Sequence, residues 1–265
     1  MSNSTKANPF GRETNYLLIK VGRDVLVGPS GQLDQSIFGD IAWQCLETRV
    51  SVAIVSSAAI QAGWESSIGA GRDTAAFFGD KEYAAVGARH LLQKWGEAFA
   101  SYRRTSEIAQ IWVTPTNLKD QGERGRISTA IRFCHRNGVV PIINENDVIS
   151  ESWRGMDNDV LAAEIAELTH PDAVLFLTRV GGVYEEDPAH NPHARRYYEI
   201  DTDAARVIAS TIPTRPQYSS GGMRQKLFQA VRCADLGMRV GIAGVENSNI
   251  RRFAAGESVG TMICL

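Results

Sequence analysis

The chain of 265 residues lacks the features that mark membrane, secreted or nucleic-acid-binding proteins. No apolar run approaches the ~18 residues of a membrane span, and the polar residues 1–9 lack the apolar stretch of a signal peptide. Neither sign of charge is concentrated, since 28 Lys and Arg and 30 Asp and Glu are mixed along the chain with a formal net charge of −2. No nucleic acid or membrane partner is therefore expected, and the cytoplasm is the expected location.

Cysteine and common catalytic motifs are also scarce. The chain contains no G-x-x-x-x-G-K-[ST] phosphate loop, no H-E-x-x-H and no C-x-x-C. The few cysteines lie far apart, within or beside apolar runs, which is typical of small buried side chains: Cys45, Cys134, Cys233 and Cys264. No metal-ligating residues are predicted.

Short apolar runs alternate with helical patterns along nearly the whole chain. Strands are predicted at Tyr16–Val21, Val50–Val55, Ile108–Val113, Val139–Ile143, Ala173–Leu177, Arg239–Ile242 and Gly260–Cys264. Helices are predicted at Leu33–Cys45, Lys81–Tyr102, Arg124–Arg136, Asp157–Leu168 and Met223–Leu236. The stretches Gly63–Gly79 and Ile212–Gly222 are predicted to be loops, the first a long loop or lid.

This alternation predicts an α/β fold, a three-layer αβα sandwich around a mostly parallel sheet. One domain over residues 1–265 is expected, with residues 1–14 as a disordered tail. Ligands of such sheets bind beyond the carboxyl ends of the strands. Polar clusters follow several predicted strands at these ends, so the site is expected there: Lys20–Gly22, Ser56-Ser57, Asn144–Asp147 and Thr178-Arg179.

Two lysines fit a site for transferring phosphate. Lys20 ends an apolar strand and is followed by Gly22, whose missing side chain lets backbone N–H groups approach an anion. Lys226 lies in the first turns of a helix that follows paired glycines, as in a lid closing over phosphates. Each lysine alone could equally be a surface residue.

Polar residues at two further places could bind an acceptor. Asn144–Asp147 puts four polar side chains directly after a strand, where a plain turn is the alternative. Asp157-Asn158-Asp159 opens a helix, where capping and ligand binding are compatible.

Taken in chain order, seven segments resemble the amino acid kinase family, and within it the glutamate 5-kinases of proline synthesis. The matching strings are IKVG at 19–22, VSSAAIQAG at 55–63, VVPIINENDVI at 139–149, DNDVLAAEIA at 157–166, GGVYEEDP at 181–188, GGMRQKL at 221–227 and GESVGTMI at 256–263. The PIINEND, DND and GGM-x-x-K segments are fairly specific to glutamate 5-kinases, whereas GVY-x-x-DP is shared more widely.

The resemblance implies an enzyme that uses ATP and Mg²⁺ to phosphorylate the side-chain carboxylate of a small amino-acid substrate, glutamate or a close analogue. Lys20, Lys226 and Asp159 would be catalytic. The residues implied to bind the amino acid are Ser57, Asn144, Asp147, Asp157 and Asn158. The residues implied to line the ATP site are Lys20, Gly22, Thr178, Arg179, Ser220, Gly221, Gly222, Met223 and Lys226. A homo-oligomer is also implied, and the C-terminal PUA domain of many bacterial relatives is not expected.

Three residues depart from the family pattern. Arg23 stands where the family usually has Thr, and Ala58 where it has Gly. Arg179 replaces an aspartate that the resemblance implies would orient the catalytic lysines. Two alternatives therefore stay open: a kinase of a phosphate-bearing acceptor, similar to the bacterial uridylate kinases, and a nucleotide-binding relative that has lost catalysis.

Overall fold

The computed structural model describes residues 14–69, 79–102, 107–150, 157–213 and 222–265. In these ranges one sheet has the strand order β3-β4-β2-β1-β5-β7-β8-β6. The strands are β1 (Tyr16–Val21), β2 (Ser51–Ser56), β3 (Ile108–Val113), β4 (Val140–Glu145), β5 (Ala173–Leu177), β6 (Glu199–Asp201), β7 (Arg239–Ala243) and β8 (Thr261–Cys264). Only the β7–β8 pair is antiparallel, so the predicted mostly parallel sheet is confirmed.

Helices connect the strands and cover both faces of the sheet. They are α1 (Arg23–Leu26), α2 (Gln35–Glu47), α3 (Ala59–Gly69), α4 (Asp80–Ala100), α5 (Gln121–Arg136), α6 (Asn158–Thr169), α7 (Thr202–Thr211), α8 (Met223–Asp235) and α9 (Asn249–Ala254). The five predicted helices correspond to α2, α4, α5, α6 and α8. The helices α1, α3, α7 and α9 and the three-residue strand β6 were not predicted.

Alternate strand residues pack into two separate hydrophobic cores. Leu17 and Ile19 of β1 face the core formed with α2, α3, α4 and α9. Leu18 faces the opposite core, formed with α5, α6, α7 and α8. Because side chains alternate along a strand, Lys20 points to the same side as Leu18, toward α6 and α8. The fold is therefore the predicted three-layer sandwich.

The prediction of a loop at Gly63–Gly79 is wrong for its first part, since Gly63–Gly69 belongs to α3. Gly63 lets the backbones of α3 and α4 touch, because a Cβ built on it would lie 1.8 Å from Tyr83 O. A Cβ on Gly87 of α4 would lie 1.8 Å from Ala59 O. These glycines serve close helix packing. Residues 70–78 of the predicted loop, and most of the Ile212–Gly222 loop, lie outside the described residues.

Two smaller predictions concern the cysteines and membrane spans. Cys45, Cys134 and Cys233 are buried and Cys264 is half-buried, and all four are free thiols. Among the described helices, none combines the length and the apolar character needed to cross a membrane.

Gly63→Ala should lower the free energy of unfolding by at least about 2 kcal/mol, because the added methyl meets a backbone carbonyl that cannot rotate away. Urea denaturation measures the change.

The matched control is Gly125→Ala on the exposed face of α5, where a Cβ has open space. This change should instead stabilise by about 0.5–1 kcal/mol, the usual helix-propensity gain. Equal effects of the two substitutions would contradict the close α3–α4 contact.

Candidate active site

The parallel register gathers the polar strand ends at one edge of the sheet. Lys20 of β1 lies opposite Val55 of β2 and Phe176 of β5. Val55 in turn lies opposite Ile143 of β4. The polar residues that follow these positions on β2, β4 and β5 therefore lie beside Lys20.

A buried carboxylate joins the two predicted catalytic lysines. Asp159 Oδ1 lies 2.8 Å from Lys20 Nζ and 3.0 Å from Lys226 Nζ. The three residues are only 1%, 5% and 6% exposed, respectively. Asp159 comes from the first turn of α6 and Lys226 from the first turn of α8, the helices that cover this face of β1. The structure thus brings together two lysines that are distant in sequence.

The shared carboxylate dominates the electrostatics of this group. Burial alone would raise the pKa of Asp159, but the charges of Lys226 and Lys20 outweigh it and hold the pKa below its usual value. Burial and the charge of Lys226 lower the pKa of Lys20. Burial would also lower the pKa of Lys226, but the charges of Asp159 and Asp24 outweigh it and raise the pKa. The result is a buried anion between two cations.

The start of α6 carries acceptor oxygens without donors. Asp157 caps the helix by accepting a hydrogen bond from Asp159 N at 2.8 Å. Burial, and then the charge of Asp159, raise the pKa of Asp157 to about 6. Three buried oxygens at this helix start have no hydrogen-bond partner among the described residues: Asp157 Oδ2, Asn158 Oδ1 and Asp159 Oδ2. The same holds for Asn146 Oδ1, which follows β4. This part of the site is therefore suited to a donor group or a cation.

Asp147 belongs to a second electrostatic group at the end of β4. Burial, followed by the charges of Glu145 and Asp80, raises its pKa to about 6, against the opposing charge of Lys81. Lys81 Nζ donates to Ser150 O at 2.9 Å and so fixes the turn after β4. Asp147 also lines a small cavity between α4 and the ends of β3 and β4. Sequence reasoning missed Lys81, which carries no motif.

Ser57 follows β2, and Asn144 lies in the neighbouring strand β4. Ser57 N donates to Val21 O at 3.0 Å, which fixes Ser57 beside the end of β1. The buried side chain of Asn144 donates to Ser56 O, so it positions this turn. Ala58 adopts a φ of 88°, a conformation that favours glycine. The backbone therefore explains why the family pattern has glycine here, and Ala58 carries strain.

The residues predicted to line the ATP site lie at three places. Gly22 caps α1, and a Cβ built on it would lie 3.4 Å from Lys20 Nζ. Thr178 is buried after β5, where its N–H donates to Ala243 O at 2.8 Å. Gly222 caps α8 and Met223 is the first residue of that helix. Ser220 and Gly221 lie outside the described residues.

The comparisons with known proteins show which family the chain resembles. The model of the amino acid kinase family matches residues 15–244. The chain belongs to the amino acid kinase family. A curated relative named glutamate 5-kinase, from Herpetosiphon aurantiacus, is 32% identical over an alignment of 254 residues that covers 92% of this chain and 67% of that protein.

Two solved structures of this fold align with nearly the whole chain. Carbamate kinase from Giardia lamblia, bound to AMP-PNP, has a TM-score of 0.68 at 16% identity and covers 95% of this chain and 98% of its own. UMP kinase from Bacillus anthracis has a TM-score of 0.63 at 18% identity, and the alignment covers 96% of this chain and 97% of that one. At such identities these likenesses concern the fold.

The place of Arg179 in the ATP site stays a prediction. Arg179 is exposed after β5 and makes no hydrogen bond or ion pair within the described residues. Asp159 contacts both lysines instead. The arginine therefore does not remove the group that orients them.

Asp157→Asn should stabilise the protein by about 1–2 kcal/mol at pH 8 and by almost nothing near pH 4. The folded-state pKa of about 6 exceeds the ordinary value of 3.8, so stability from the protonated carboxyl is lost as pH rises through 6. Asparagine keeps the helix cap without this loss. Urea denaturation at both pH values measures the difference.

Asp34→Asn at the N-cap of α2 is the matched control. Hydrogen bonds from Ser36 lower the pKa of Asp34. The ionised Asp34 carboxylate therefore stabilises the folded protein above pH 3.8, its ordinary pKa. The Asp34→Asn variant should accordingly lose stability relative to the wild-type protein as pH rises. A pH-independent effect of Asp157→Asn would contradict the raised pKa.

Proposed function

We propose that this protein transfers the γ-phosphoryl group of ATP to the side-chain carboxylate of glutamate or a close analogue. The supporting observation is the pair of buried lysines held on one oxygen of Asp159 at the carboxyl edge of the sheet. Two cations held by a single carboxylate have a net positive charge, which can attract an incoming phosphate. Phosphoryl transfer needs such positioning and charge neutralisation.

In this reaction an oxygen of the acceptor carboxylate forms a bond to the γ-phosphorus. The bond between that phosphorus and the β–γ bridging oxygen breaks, which gives an acyl phosphate and ADP. Acceptor and donor are both anionic and repel each other. Lys20 and Lys226 offset this repulsion because their charges are already in place, so they need not reorganise during the transfer.

The unpartnered oxygens at the start of α6 favour an acceptor that carries an ammonium group. An α-ammonium offers three donors and a positive charge to the oxygens of Asp157 and Asn158. A phosphate-bearing acceptor would place further anionic oxygens against them. In this proposal Ser57, Asp147 and Asn158 bind the amino acid, as the resemblance implies.

Mg²⁺ fits the same region as the companion of ATP. Asp159 has a buried oxygen, Oδ2, without a partner among the described residues, and Mg²⁺ prefers such hard oxygen ligands. Within the described ranges no group of three or more acidic, His or Cys side chains could hold a metal alone. The metal would therefore need phosphate oxygens as further ligands, and it would neutralise charge on them.

A kinase of a phosphate-bearing acceptor is the second candidate. Two exposed arginines favour it, because Arg23 and Arg179 add cations near the phosphate-binding edge where the family pattern has Thr and Asp. A binding protein without catalysis is the third candidate. The intact Lys20–Asp159–Lys226 group disfavours it.

Incubation with ATP and Mg²⁺ should release ADP with glutamate as acceptor and not with UMP. Lys20→Met should lower this turnover by about 100-fold or more, because a fixed cation facing the transferred group is lost. A coupled ADP assay measures both.

Lys119→Met, a change at an exposed lysine after β3, is the matched control and should leave turnover unchanged. Turnover with UMP alone would favour the second candidate. Tight ATP binding without transfer to any acceptor would favour the third.

We also propose that the protein is a homo-oligomer in which α3 packs against a second copy. Ile60, Trp64 and Ile68 are exposed at a spacing of four residues and form one apolar face of α3. No charged side chain interrupts this face, so two copies can pair it with itself across a two-fold axis. Trp112 on the edge strand β3 adds further exposed apolar surface.

Trp64→Glu should convert the assembly to monomers, because a buried charge would face its own copy across the interface. Light scattering after size-exclusion chromatography measures the mass. Phe133→Glu, at an exposed apolar residue of α5, is the control and should leave the mass unchanged. A monomeric wild-type protein would contradict the proposed assembly.

A further inference from the structure

An exposed carboxylate, that of Asp24, lies near the lysine pair. Asp24 is the second residue of α1, and its side chain folds back so that Oδ1 lies 2.3 Å from the position of a Cβ built on Gly22. Lys20 Nζ lies 3.4 Å from the same point. The charge of Asp24 also acts on Lys226. Asp24 therefore lies near Lys20, and its charge reaches Lys226.

Asp24 differs from the other two carboxylates of this cluster. Asp159 is buried and shares one oxygen between two ammonium groups, and Asp157 uses one oxygen to cap α6. Asp24 is exposed, and within the described residues it makes no ion pair or side-chain hydrogen bond. It is thus the solvent-exposed acidic group of this cluster.

This position creates a conflict for a bare nucleotide. A phosphate that approaches Lys20 and Lys226 also approaches the charge of Asp24, and the like charges repel. A divalent cation between carboxylate and phosphate turns the repulsion into bridging, since Mg²⁺ is commonly held by one or two carboxylates together with substrate phosphates. Asp159 is almost fully buried, and its Oδ2, which has no hydrogen-bond partner among the described residues, supplies a second hard oxygen in the same cluster.

We propose that Asp24 makes this site select the divalent-metal complex of the nucleotide over the metal-free nucleotide. The carboxylate repels bare phosphate and faces the metal when the complex binds. Asp24 is then a specificity-determining residue on the nucleotide side. The inference rests on the proposed function, because it assumes that the lysine pair binds a nucleotide's phosphates.

Calorimetry with a non-hydrolysable ATP analogue tests the proposal by comparing dissociation constants in excess Mg²⁺ and in EDTA. For the wild-type protein, Mg²⁺ should tighten binding by about 100-fold. In Asp24→Asn this ratio should fall by about tenfold, because metal-free nucleotide binds more tightly and the metal complex more weakly. Asp120→Asn, the same change at the N-cap of α5, is the control and should keep the wild-type ratio.

The other outcomes separate this inference from the proposed function. Nucleotide binding with an unchanged metal ratio in Asp24→Asn would overturn the role of Asp24 and leave the kinase proposal standing. If Asp24→Asn bound the nucleotide more tightly by the same factor with and without Mg²⁺, the role of Asp24 would also be overturned, since Asp24 would then merely occupy the phosphate position. Failure of the wild-type protein to bind nucleotide under any condition would remove the proposed function itself.

Discussion

A single carboxylate oxygen holds the candidate site together. Asp159 Oδ1 contacts two ammonium groups, one from the central strand β1 and one from α8. Without it, two like charges would lie buried side by side, which is costly in a poorly solvated interior. The carboxylate therefore permits both lysines to stay buried at the carboxyl edge of the sheet, and it fixes how α6 and α8 approach β1. An anionic ligand completes a charge arrangement that already exists.

The sheet was predictable because its strands are short, nearly continuous apolar runs between polar ends. The helix α3 was not, because its two glycines suggested a loop. A glycine marks either backbone freedom or close approach, and only the neighbour decides which applies. In this fold the neighbour is α4, and Gly63 lies against its backbone. The strand β6 was missed because three residues carry no usable periodicity.

The meeting of Lys20 and Lys226 was anticipated through family resemblance, since no local pattern relates residues so distant in sequence. The structure adds the physical reason. Side chains alternate between the two faces of a strand, so Lys20 lies on the same face of β1 as Leu18, toward α6 and α8. Asp24 escaped notice because its importance depends on the chain folding back over Gly22. Asp159, which the sequence marks as a first-turn acid of α6, contacts both lysines, whereas the place of Arg179 in the ATP site stays a prediction.

The contact between α3 and α4 has a mechanical consequence. Where carbonyl groups fill the space that side chains would occupy, two helices can neither slide nor roll against each other without breaking the fit. The pair thus moves as one stiff body. One end of that body is the turn with Ser57 and the strained Ala58, and its outer face carries Trp64. A displacement of this outer face would therefore also displace the turn beside the lysines.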